Sequence, residues 1–128
     1  MNFAEDTKVK GLVVADMGGS GATTGVHAVA GRCRLMAIQY RSDNVVRLPN
    51  TSTNAVAFRD GSSATDTAKY EMLVWGGTNA AALNTFKIYT IYLGGHGILF
   101  NDGIFVNVGA SPQILNISIF YSGGGEPS

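Results

Sequence analysis

Charged residues are scarce in this chain of 128 residues, and their scarcity removes one class of function. They make up 14% of the sequence, well below the usual quarter, and nine basic residues balance nine acidic ones. A nucleic-acid-binding protein needs a surplus of basic residues to neutralise phosphates, so no nucleic-acid partner is expected. A neutral, weakly charged surface instead favours association with other proteins.

Cysteine and long apolar runs are scarce as well. Cys33 is the single cysteine, which excludes an internal disulfide. No apolar run reaches the roughly 18 residues that a membrane span needs, so no membrane partner is expected. The chain begins MNFAEDTKVK, which lacks the positively charged start and the long apolar stretch of a signal peptide. We therefore expect the protein to be made and folded in a cytoplasm.

The clearest pattern that is present lies in residues 93–108, LGGHGILFNDGIFVNV. A short apolar segment at 98–100 precedes Asn101, Asp102 and Gly103, and a segment with period-2 alternation follows up to residue 108. Asn, Asp and Gly all tolerate the positive φ that tight turns require. The pattern predicts a β-hairpin with its turn at these three residues.

Alternating or β-branched segments occur along most of the chain, and helical patterns are nearly absent. Further strands are predicted at residues 8–15, 26–40, 45–48, 55–58, 70–75, 86–93 and 113–121. Gly31 marks a turn or bulge, and Asp60-Gly61 marks a second clear turn. Eight to ten short strands without a composition break predict one all-β domain over residues 1–128, an antiparallel β-sandwich or jelly roll.

Side chains that could carry chemistry are few and lie apart in the sequence. His27, Cys33 and His96 are the soft metal ligands, and none has zinc-site spacing, so we expect no metal or cofactor. Asp60 and Asp102 lie in predicted turns, where aspartate serves the backbone rather than catalysis. No serine stands in a recognisable catalytic motif. The sequence therefore predicts no catalytic residues and no enzyme.

Four short blocks, taken in order, carry a resemblance to a known group of proteins. They are residues 31–40 (GRCRLMAIQY), 58–61 (FRDG), 97–106 (GILFNDGIFV) and 117–121 (ISIFY). The chain from about Gly31 onward resembles small β-rich structural proteins encoded by tailed phages of marine bacteria, including cyanophages. The resemblance implies a virion component made in the host bacterium, which is not an enzyme, and a homo-oligomer, with a trimer as the expected form.

Within the virion, the expected role is that of a capsid decoration or cement protein bound to the major capsid protein. Each contact adds roughly 25 cal/mol per Å² of buried apolar surface, and many copies sum over the shell. Two alternatives stay open. The first is a tail or fibre component, such as a host-binding knob or adaptor. The second is a soluble carbohydrate-binding module.

Both ends of the chain are expected to act as contact arms, residues 1–8 at the start and 122–128 at the end. The glycine-rich segment 122–128 has almost no side chain with which to anchor itself. Deleting residues 123–128 is thus expected to weaken particle binding without lowering the melting temperature. The predicted partner-binding residues are Met1, Asn2, Phe3, Tyr89, Tyr92, Tyr121, Gly123, Gly124 and Gly125.

Overall fold

A computed structural model of the chain describes residues 7–13, 25–42, 55–73, 88–108 and 114–127. These residues form eight strands and no helix, and so include no helix that could cross a membrane. The strands are β1 (Lys8–Val13), β2 (Gly25–Ser42), β3 (Ala55–Asp60), β4 (Ala68–Leu73), β5 (Ile88–Tyr92), β6 (Ile98–Phe100), β7 (Gly103–Val108) and β8 (Ile114–Gly125).

The predicted all-β class is confirmed, and the strands form one open antiparallel sheet. Its order is β1-β8-β2-β7-β3-β4, with β5 and β6 also paired to β2. The described strands form one sheet and do not by themselves define a sandwich or a jelly roll, so that part of the expected architecture stays a prediction. The strand predicted at residues 45–48 lies outside the described residues.

The long strand β2 is the axis of the sheet. One of its edges pairs with β8 from Ala30 to Ser42. Its other edge pairs in turn with β7, β6 and β5, and all three run antiparallel to it. Strands β5, β6 and β7 therefore lie end to end along β2, and β6 does not fold back on β7. The predicted hairpin at Asn101–Gly103 is wrong.

A carboxylate from another strand explains why the chain does not reverse at this point. The backbone N–H groups of Asn101 and Asp102 donate to Asp60 Oδ2 and Oδ1, at 3.1 and 2.7 Å. The N–H of Gly31 donates to the carbonyl of Asp102 at 3.2 Å, which keeps the segment beside β2. Gly103 has a φ of 135°, so the positive φ that the sequence predicts serves a kink between two collinear strands.

In β1, β5 and β8, the core lies on one face of the sheet, as the alternation along the strands dictates. In β8, for example, Ile117, Ile119 and Tyr121 are buried, while the residues between them are part-exposed. The largest side chains without solvent exposure come from five strands and are Phe58, Phe100, Leu35, Ile38, Ile104, Ile117, Ile119, Val29 and Val56. Six of these nine residues belong to β2, β7 and β3, which lie in the middle of the sheet.

Strands β3 and β4 form the hairpin that Asp60-Gly61 predicts, and Asp66 holds its loop together. The Asp66 carboxylate accepts the N–H groups of Ser62 and Ser63 at 2.8 and 3.0 Å. The pKa of Asp66 is lowered below its ordinary value, chiefly by the hydrogen bond from Ser62 and then by the one from Ser63. The positive charge of Arg59 also lowers this pKa. The charged carboxylate therefore stabilises this loop.

Acid is expected to loosen the loop through Asp66. Because the pKa is lower in the folded than in the unfolded chain, the stabilisation is complete above the unfolded pKa of about 4 and is lost as the pH falls through the lower, folded pKa. Amide exchange at Ser62 and Ser63 should rise in that range relative to neighbouring amides. In Asp66→Asn the same amides should exchange fast at every pH. An unchanged pattern in this variant would refute the role of the carboxylate.

Candidate functional site

Four neighbouring strands, β1, β8, β2 and β5, bury one of their faces in the core. We call their opposite face, which points away from the core, the outer face. The pairing of β1 with β8, β8 with β2 and β2 with β5 aligns their side chains into rows. The outer face consists of Val9, Gly11, Asn116, Ser118, Phe120, Ala37, Gln39, Arg41, Ile88, Thr90 and Tyr92.

The first row across the outer face is apolar and consists of Val9, Phe120, Ala37 and Tyr92. Val9 and Tyr92, at its two ends, are 59% and 78% exposed. These are two of the most exposed large hydrophobic side chains among the described residues. Apolar side chains exposed together in this way are typical of a surface that another molecule covers.

Ala37 makes a groove in this row because it is a small residue between two aromatic rings. The groove has a volume of about 220 Å³. Its lining consists of Thr7, Met36, Ala37, Gln39, Thr90, Tyr92 and Phe120. The second row lies beside it, where Gln39 Nε2 donates to Thr90 Oγ1 at 3.2 Å. The groove therefore combines two aromatic walls with an amide and a hydroxyl group at one side.

The charges of this region are all of one sign, although the whole chain is neutral. Strands β1, β8, β2 and β5 contain no aspartate or glutamate. Their basic residues are Lys8, Lys10, Arg32, Arg34 and Arg41. Arg41 lies on the outer face itself, opposite Asn116 and Ile88. Lys8 and Lys10, however, lie in register with core-facing residues of β8, and Lys10 pairs with Glu126, so these charges do not identify a partner for the outer face.

The three tyrosines predicted to bind a partner have different positions. Tyr92 lies on the outer face and is largely exposed. Tyr121 points to the core with 4% exposure. Tyr89 also lies on the core side and stacks on Tyr40, with 5.1 Å between the ring centroids. The alternation of strand residues separates them, because Tyr92 and Tyr89 differ by an odd number of positions in β5.

The predicted C-terminal arm is held by its own chain in the described residues. Gly123 and Gly125 pair with Cys33 and Ala30 of β2. Lys8 Nζ donates to the carbonyl of Gly124 at 3.1 Å. Contacts within the chain therefore account for the ordering of this segment, and its contact with a partner stays a prediction. Met1, Asn2 and Phe3 lie outside the described residues.

The residues considered for chemistry lie in different environments. Burial, with a smaller effect of Asp60, raises the pKa of the Cys33 thiol to about 11, so it is protonated at neutral pH. The His27 Nε2 atom is buried without a hydrogen-bond partner, and His96 lies in an exposed loop. Among the described residues, no three His, Cys, Asp or Glu side chains could hold a metal ion together. Asp60 is engaged with backbone N–H groups, as described above.

Several outer-face residues were not predicted from the sequence. Phe120 and Ala37 are adjacent only through the β8–β2 register, which contains shifts next to Ala37. The alternation in β8 predicts that Phe120 and Tyr121 point to opposite faces of the sheet, and this was the only indication in the sequence that Phe120 faces away from the core. It does not reveal which strand lies beside it.

Comparisons with protein-family models, with curated proteins and with solved structures gave no match. The function proposed below therefore depends on the geometry of the outer face and on the resemblance of the sequence blocks.

Proposed function

We propose that this protein is a non-enzymatic structural component of a phage virion, and that it acts as a capsid decoration protein. In this role the outer face docks on the major capsid protein. The observation that carries the proposal is the outer face itself, with its apolar row ending in the exposed Val9 and Tyr92. The resemblance of the sequence to marine phage structural proteins supplies the virion context.

A broad sheet face suits this role for physical reasons. A preformed strand surface contributes contact area without the loss of loop entropy that a flexible binding segment incurs. Each contact can be modest, because a decoration protein is present in many copies on one particle.

We also propose that the sheet curves over its core as the predicted sandwich or jelly roll. Support comes from consecutive buried residues in the middle strands. Ala57 and Phe58 in β3 are 5% and 0% exposed, and Phe105 and Val106 in β7 are 8% and 0% exposed. Since consecutive residues of a strand point to opposite faces, both faces of these strands are covered.

The first measurement is the copy number of the protein in purified heads and tails, by quantitative mass spectrometry. A copy number comparable to that of the capsid protein, in the head fraction, is expected. A few copies in the tail fraction would exclude the decoration role and favour the tail alternative. Absence from both fractions would exclude a virion protein of either kind.

A charge in the middle of the outer face is expected to block docking. Ser118 is part-exposed between Gly11 and Gln39, so Ser118→Glu places a bulky carboxylate there without removing core volume. We expect its affinity for undecorated shells to fall at least about tenfold, which corresponds to about 1.4 kcal/mol. Thr67→Glu adds the same charge in the exposed β3–β4 loop and is the matched control. Equal binding by both variants would show that the outer face does not dock.

The groove favours a second candidate, a host-binding tail knob that recognises a glycan. Aromatic walls formed by Tyr92 and Phe120 can contact the apolar face of a sugar ring, while Gln39 and Thr90 offer hydrogen bonds to its hydroxyl groups. Glycan binding that Tyr92→Ala abolishes, together with a location in tails, would support this candidate. The same binding by a protein absent from particles would support the soluble carbohydrate-binding module.

A further inference from the structure

The described part of the sheet has three longer edge strands, β1, β4 and β5, each paired on one side. Exposed edges invite pairing with other chains, and proteins commonly protect them with charged residues, especially lysine. Two of these edges follow that rule. Strand β1 carries Lys8 and Lys10, and β4 carries Lys69 and Glu71.

Strand β5 does not follow this rule. Its sequence, IYTIY, contains no charged residue, no proline and no glycine, and all five residues favour β-structure. Ile88 is 66% exposed and Tyr92 is 78% exposed, which places two large apolar side chains at this edge. An unprotected apolar edge is a site for strand addition unless another chain covers it.

We propose that β5 pairs with β5 of a second copy of this chain, antiparallel and about a two-fold axis at Thr90. This register places Ile88 opposite Tyr92 of the second copy, and Tyr92 opposite Ile88 of that copy. Thr90 then faces the same residue across the axis. Aromatic and β-branched residues in opposite positions form a favourable cross-strand pair, and the symmetry provides that pair twice.

Charge supports a second copy as the partner rather than an unrelated strand. Because β5 carries no charge, self-pairing brings no like charges together. The other edges differ in this respect, since pairing β1 with itself would crowd four lysines into one short ribbon. The interface is isologous, so it closes after two copies and does not propagate into a fibre.

The pairing would make one continuous outer face from two copies, with the two grooves related by the two-fold axis. It gives an even number of copies in place of the trimer that the resemblance implies. It does not depend on the proposed function, because a dimer could form whether the outer face binds a capsid, a glycan or neither.

Analytical ultracentrifugation tests the proposal directly, with matched lysine variants at two edges. Thr90 is exposed in the centre of β5, so Thr90→Lys places like charges opposite each other at the axis. The control is Val9→Lys on β1, where the residue is 59% exposed. We expect the wild type and Val9→Lys to dimerise, and Thr90→Lys to dissociate at least about tenfold more readily. Matching far-ultraviolet circular dichroism spectra of the variants and the wild type would show that the fold is intact.

Amide exchange separates pairing through β5 from dimerisation elsewhere. The amides of residues 88–92 should become more protected as the protein concentration rises, and those of β1 and β4 should not change. A protein that stays monomeric up to about 1 mM would overturn the proposal. So would a trimeric mass, or a Thr90→Lys variant that dimerises as well as Val9→Lys.

Discussion

Gly103→Ala is expected to destabilise the protein by more than about 3 kcal/mol, a large fraction of the roughly 5–15 kcal/mol that stabilises an ordinary domain. A Cβ atom on this buried residue would lie 2.5 Å from the carbonyl oxygen of Val29, which belongs to the backbone of β2 and cannot move aside. The φ of 135° adds strain for any residue with a side chain. Urea unfolding followed by circular dichroism measures the loss.

Gly31 offers a matched control for this prediction. It also has a positive φ, of 84°, but a Cβ atom there would meet nothing within 4 Å. Gly31→Ala should therefore show the backbone strain alone, about 1–2 kcal/mol. If both variants lost the same stability, the close approach of Gly103 to β2 would not matter, and the packing of this kink would need another explanation.

Deleting residues 123–128 is expected to cost about 3 kcal/mol of folding stability. The deletion removes the pairing of Gly123 and Gly125 with β2, and each lost backbone hydrogen bond costs about 1 kcal/mol. It also uncovers Cys33, which is 3% exposed and packs near Gly124. The midpoint of thermal unfolding should fall accordingly. This expectation differs from the one based on the sequence, which assigned the segment to a partner.

The control for the deletion is Glu126→Gln. It removes the ion pair between Lys10 Nζ and Glu126 Oε2, at 2.6 Å, and leaves the strand in place. Because the Glu126 side chain is 70% exposed, the change should cost less than about 1 kcal/mol. A deletion no more harmful than this substitution would mean that residues 123–125 do not hold the sheet together. Such a result would favour the prediction from the sequence, in which this segment contacts a partner.

The strands themselves could be predicted from the sequence, because each depends on local alternation. The segment 117–121 shows this, since Ile117, Ile119 and Tyr121 recur at every second position of the predicted strand and are buried. The arrangement at Asn101–Gly103 could not be predicted in the same way. The direction of the chain after Asn101 depends on the carboxylate of Asp60. Asp60 lies 41 positions away in the sequence, so the local pattern around Asn101 does not indicate this contact. Turn-forming residues specify a backbone conformation, and the partner decides whether the chain reverses.

The sequence predicts that Tyr92 and Tyr121 bind a partner, and this role stays a prediction. Tyr92 lies on the outer face with its ring largely exposed, while Tyr121 belongs to the core. Both tyrosines have the same local pattern, so the sequence could not distinguish them. The difference arises from the sheet order, which puts β8 between β1 and β2, and from the register shifts beside Ala37. The groove between Phe120 and Tyr92 exists only once three strands are aligned.

The position of β8 also has a consequence for biosynthesis. Strand β2 leaves the ribosome early, but one of its edges is completed by β8, which follows 72 positions after the last residue of β2 (114 minus 42). At about 5–20 residues per second, the nascent chain would carry this edge of β2 unpaired for several seconds, and the other edge waits for β5, β6 and β7, which are also made after β2. Pairing over such sequence distances also slows folding itself. We expect newly made chains to need chaperone protection until β8 has been translated.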